Sequence, residues 1–207
     1  MTLLATTNTM KSQRLILAVH CCLALVYAAP LPERDALTRA AELGVSLAKK
    51  ILDDIPRVHD ACVKTTGLTL ELSAEAHNLE YLLSEIGIPA APLLKTISED
   101  HSLAESLSRM LEGLDLHRDL LQNLSDVLSS TETLKLLLAD IRDLSAQVQQ
   151  MQQLAQIPMT PSQRNIPHVS SRLSSDYKVQ VAAHLSLQQL RRFTQDVFRC
   201  LRHIAVS

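Results

Sequence analysis

Aromatic side chains are nearly missing from this chain. They make up 2% of its 207 residues, and there is no Trp. A core built from such a chain must be aliphatic. Glycine is scarce as well, at four residues, far below ordinary usage. That scarcity argues against sheets closed by tight turns and against loops that cradle phosphate. A basic excess is also lacking: the formal charge is −2, so no nucleic-acid partner is expected. The motifs of common active sites are missing too. There is no His-Glu-x-x-His, no Glu-x-x-His, no Gly-x-Ser-x-Gly and no P-loop. The eight His are dispersed, without ligand spacing. No enzyme activity, metal or cofactor is expected. His117 reads as a structural imidazole on an apolar helix face.

Cysteine is limited to four residues, and two of them, Cys21 and Cys22, sit in a segment that reads as a leader. Lys11 and Arg14 form a positive start, residues 15–28 form an apolar run, and Val26 and Ala28 fit the small positions before a cleavage point. Residues 1–28 are therefore predicted to be a secretory signal peptide. Met10 is an alternative start. The expected product is a secreted, extracellular domain over 29–207. Later in the chain no charge-free run reaches the roughly 18 residues of a membrane span, so no membrane insertion is expected. Without Lys11 and Arg14 the product carries 18 basic against 22 acidic residues.

What is present is a set of long apolar stripes. Ala183, Leu187, Leu190, Thr194, Val197, Leu201 and Ile204 recur in steps of four and three, which puts them on one face of an α-helix. Phe193 and Phe198 flank that line. The spacing predicts a final helix over about 177–204, roughly 40 Å long at about 1.5 Å per residue, starting near Ser175. A first long helix is predicted over Glu33–Val58, with Leu37, Ala41, Gly44, Ala48, Ile51, Ile55 and Val58 as its seam and a kink or end near Pro56. A second starts at Ser98 as N-cap, with Leu103, Leu107, Met110, Leu114, His117, Leu121, Leu124 and Leu128 in line. A third carries Leu134, Leu137, Ile141, Leu144, Val148, Met151 and Ala155. The six-residue step from Leu128 to Leu134 breaks the pattern, and Ser129 with Glu132 forms a possible capping box, so a short turn is expected within 125–131.

The first and second long helices are joined by residues 59–97, in which 74–86 form a short helix. The third and fourth are joined by 156–174, rich in Pro and Ser and expected to be mobile. The short middle turn makes the second and third helices antiparallel neighbours. The two long connections can each traverse a bundle of about 40 Å, since extended chain covers about 3.3 Å per residue. The expected fold class is all-α: a four-helix bundle running up-up-down-down, with long crossovers. Secreted chains normally pair their cysteines, which at first suggests a Cys62–Cys200 bridge. In this topology the two lie on the order of 30 Å apart, against less than about 7 Å for a disulfide. No bridge between them is expected. Asn123-Leu-Ser is a glycosylation sequon.

Several strings then point to a family. IGIPAAPL at 86–93, LLQNL at 120–124, TLKLLLADI at 133–141, QQM at 149–151, VQVAAHL at 179–185 and LRHIA at 201–205 resemble, in order, segments of granulocyte colony-stimulating factors, long-chain helical cytokines of the interleukin-6-like superfamily. The resemblance implies a monomeric ligand that bridges class I cytokine receptor chains and drives growth and differentiation of granulocyte precursors. It also implies two receptor surfaces. On the first, Asp140 matches an acidic contact of the third helix, while a neighbouring acidic position falls on Leu137. Lys49-Lys50-Ile51 matches a motif of the first helix, placing the family's glutamate on Ser46, with Glu42 one turn earlier. On the second, a glutamate of the first crossover aligns near Asn78, with Glu80 close by. Of the family's disulfide positions only Cys62 has a counterpart. The alternative from the residues alone is an apolipoprotein-like lipid carrier, since amphipathic helices also suit a lipid surface. Against it, no repeat is visible and Pro gathers in the connections, Pro56 apart.

Overall fold

Residues 32–70, 76–95, 102–128, 132–158 and 169–206 are described by a computed structural model; within them, side chains 32, 33, 76–78, 80 and 170 are left aside. The leader at 1–28, Ser98 and Ser129 lie outside the described residues. The chain divides into two units at Ala36; the described part of the first is the opening of a helix, and the bundle lies in Leu37–Ser207. The described residues are helical, with no strand.

Helix α1 spans Pro32–Cys62, α2 Ala76–Ile86, α3 Leu103–Ser125, α4 Glu132–Leu154 and α5 Asp176–Val206, with a 3-10 turn at Val169–Arg172. Each long helix exists because its seam is buried. All seven predicted seam residues of α5 are buried, as are Ala41, Gly44, Ala48, Ile51, Ile55 and Val58 of α1. The same holds for Leu107–Leu124 along the α3 line and Leu134–Met151 along α4.

Two of the ends differ from expectation. Pro56 neither ends nor confines α1, which continues to Cys62. Pro56 is exposed, so its ring lies on the water side and the loss of one ladder hydrogen bond is outweighed by the burial of Val58 and His59 beyond it. The cap of α3 is Ser102, whose hydroxyl accepts from Glu105 N at 3.2 Å. Glu105, three residues on, has the spacing of a capping box, and this cap starts the helix later than Ser98 would. In the second crossover, Val169 is buried and anchors the 3-10 turn. Ser175 caps α5, accepting from Lys178 N at 3.3 Å.

Cross-helix contacts fix the directions. Lys50 of α1 meets Asp140 of α4, and Gln147 Nε2 donates to Ala40 O at 3.0 Å, so these helices are antiparallel. Gly44 lies against Leu201, and His59 against His184, so α1 is antiparallel to α5. Gln152 Nε2 donates to Ser108 Oγ, while residues near the end of α3 share a cleft with Lys135 and Arg142 early on α4, making α3 and α4 antiparallel. It follows that α1 and α3 point one way and α4 and α5 the other, the up-up-down-down arrangement. Gly113 of α3 is required by Phe193 of α5: any side-chain carbon there would fall on the ring. The first crossover is laid along α5, where Gln180 Oε1 accepts from Lys64 N and Thr65 N, each at 2.7 Å. Cys62 and Cys200 are both buried, one at each end of the α1–α5 pair, and no disulfide joins them.

Candidate functional site: two helix-borne surfaces

The candidate residues of the first long helix lie where solvent reaches them. Glu42, Ser46 and Lys49 are all exposed on α1, with the Ser46 hydroxyl donating to Glu42 O at 3.1 Å. Asp140 does not join them on that open face. It is buried, with its side chain 7% exposed, and one carboxylate oxygen is bonded to Lys50 Nζ. The other oxygen, Oδ2, is buried and has no partner among the described residues. That hydrogen bond to Asp140, reinforced by the charges of Asp54 and Asp143, holds the Lys50 ammonium above the ordinary lysine range.

On α4, Leu136, Asp140, Asp143 and Gln147 recur in steps of four, three and four, forming a stripe on the flank toward α1. Asp140 and Gln147 are engaged by α1, as described above. Leu136 is 61% exposed and, with Asp54, Arg57 and Val58 of α1, lines a shallow groove of about 60 Å³. Arg57 is bonded to Asp54. Leu43, 58% exposed, stands on α1 farther along the same side. Neither leucine belongs to its helix's seam. That displacement was the legible signal, because a leucine off the buried stripe must meet water or a partner. Leu137 is buried in the core.

The second surface is built on α2. Asn78 and Glu80 lie on this helix, but their side chains fall outside the described residues. Tyr81 of the same helix is 74% exposed, and Leu93 just beyond it 76%. Glu85 binds Lys178 Nζ at 2.6 Å, tying α2 to the start of α5. Ile86 and Ile88 anchor this end of the crossover in the core. Between them Gly87 adopts φ +77 beneath the guanidinium of Arg172, a backbone that other residues rarely take and a space a side chain would fill.

A larger cleft of about 410 Å³ lies elsewhere, between α3 and α4, lined by Arg118, Gln122, Ser125, Asp126, Lys135 and Arg142, among others. It contains none of the residues expected from sequence. Its Arg118 is neutralised by Asp115 at 2.7 Å and Asp119 at 3.1 Å. Among the described residues no cluster of three or more His, Cys, Asp or Glu could hold a metal, and no helix is long and apolar enough to cross a membrane. His117 is fully buried against Phe193, ring centroids 5.3 Å apart, and neither ring nitrogen has a hydrogen-bond partner among the described residues. Burial lowers its pKa to about 4, so it is a neutral core residue at physiological pH.

A family model described as granulocyte colony-stimulating factor matches residues 65–202, a span holding α2 to α5 almost entire. The granulocyte colony-stimulating factor of Homo sapiens is 29% identical over 181 residues, which cover 84% of this chain and 86% of that protein. That of Sus scrofa is 26% identical over 179 residues, covering 84% and 90%. That of Bos taurus is 31% identical over 130 residues, covering 61% and 65%. With more than half of its length matched by that family model and four long helices in the arrangement described, this chain belongs to the granulocyte colony-stimulating factor family.

Proposed function

We propose that the chain is a secreted cytokine, released by cleavage after Ala28, which as a free monomer binds and bridges class I receptor chains of the granulocyte colony-stimulating factor receptor type. The outcome is proliferation and differentiation of granulocyte-lineage cells. The observation that carries this reading is the α1–α4 face: two off-seam leucines, Leu43 and Leu136, stand exposed beside charged Glu42, Lys49, Lys50, Asp54 and Asp143. Apolar anchors within a polar rim are what a protein interface needs. Ser46 lies within that face. The second receptor chain is assigned to α2, through Asn78, Glu80 and the exposed Tyr81.

The test is titration of the mature chain against the receptor ectodomain of the same species. Saturable binding is expected. Leu136→Glu should weaken it by about tenfold or more with helicity unchanged, because that side chain is 61% exposed in the free protein. Absence of binding by the wild-type chain would remove the receptor reading, and full affinity in Leu136→Glu would remove this surface from it.

A further inference from the structure

The Asp140 carboxylate is built as a socket with half of its acceptor capacity unused. The side chain is 7% exposed, one oxygen receives Lys50 Nζ, and Oδ2 is buried without a partner among the described residues. Buried polar atoms in folded proteins are normally satisfied, and a carboxylate left partly unpaired away from water costs free energy. Lys50, by contrast, is 59% exposed. Its ammonium is a single point of charge on a flexible stem, so it can swing into solvent at small cost. When it does, negative charge remains. Asp143 is exposed nearby on α4 with no ion pair among the described residues, while Asp54 on α1 is already matched by Arg57. The exposed Leu136 stands one turn before Asp140 as an apolar shoulder.

We propose that Lys50 is an internal stand-in for a basic side chain of the receptor: in the free cytokine it caps Asp140, and binding exchanges it for a guanidinium of the partner that takes both carboxylate oxygens. The proposal rests on the α1–α4 face being a receptor surface. A guanidinium fits better than an ammonium because it presents two parallel donors to the two oxygens of one carboxylate. Affinity is then set partly by self-occupancy, since a site engaged internally is available to the partner only for the remaining fraction of the time.

Three variants test this against the receptor ectodomain, with thermal melts to verify folding. Lys50→Gln removes the cap and should tighten binding by about two- to fivefold, the range of a partly exposed ion pair. Lys50→Arg keeps the charge but engages both oxygens from within, and should weaken binding by a similar factor. Asp140→Asn should weaken it by about tenfold, the loss of a charge-assisted pair. Simple repulsion between Lys50 and a basic partner would leave Lys50→Arg equal to wild type, so that result overturns the exchange. So does unchanged or weaker binding by Lys50→Gln. The first two variants decide the matter even if Asp140→Asn folds poorly. If Leu136→Glu abolishes binding while both Lys50 variants bind as wild type, the surface stands and the exchange fails. If the wild-type chain does not bind the ectodomain at all, both fail.

Discussion

His59 Nε2 lies 3.0 Å from His184 Nδ1, a buried hydrogen bond that joins the last turns of α1 to the first turns of α5. One ring must donate and the other accept, so the contact holds with both rings neutral or with one proton added. A second proton would set two N–H groups against each other.

Burial lowers the pKa of both rings, that of His184 to about 4 with a contribution from His59; for His59 the exposed Asp60 partly offsets burial. His117 is lowered to about 4 by burial alone. In each case the unfolded chain takes up a proton that the folded chain refuses. Their contribution to stability is therefore complete above about pH 6.5 and is lost as pH falls below it, for His117 and His184 toward about 4. For His117 the full loss is on the order of 3 kcal/mol. Asp115, whose pKa burial raises, works in the opposite direction. We expect His117→Leu, which removes a buried ring lacking any hydrogen bond, to fold at least as stably at pH 7 and to lose less stability than wild type on titration to pH 4.5. Chemical denaturation at both pH values measures this. Equal pH slopes in the two proteins would contradict it.

Gly113→Ala tests the contact between α3 and α5. On helix propensity alone the change should stabilise by about 1 kcal/mol. The added carbon, however, falls on the buried Phe193 ring, and overpacking costs about 1–3 kcal/mol. Net destabilisation is expected in urea melts, relieved when Phe193→Leu is added. Strict additivity of the two changes would show that the ring does not set the glycine requirement.

Asn123 stands in the last turn of α3, partly exposed, while the Ser125 hydroxyl of the same sequon donates to Gln122 O at 2.7 Å. Because α3 lies diagonally across the bundle from α1, a glycan at Asn123 would leave the α1–α4 face open. We expect the chain secreted from eukaryotic cells to carry one N-glycan, to lose it on enzymatic deglycosylation, and to lack it as Asn123→Gln, with receptor affinity retained. A secreted wild-type chain with the mass of the bare polypeptide would end this expectation.

The periodicity of the apolar residues determined by itself that four long helices form, which face of each is buried, and, through the lengths of the connections, that an up-up-down-down bundle was available. That information is local, because a residue's place on a helix face follows from its spacing to residues three and four away. What only the tertiary structure decided is how polar residues fare where two helices meet. Asp140 reads in sequence as a charge on an outer face, yet the approach of Lys50, 90 residues earlier, buries it. Nor does anything near His59 announce His184, 125 residues on. The physical reason is that burial of a flank residue, and the partner it finds there, depend on the distance and rotation of a neighbouring helix, which no spacing within one helix encodes.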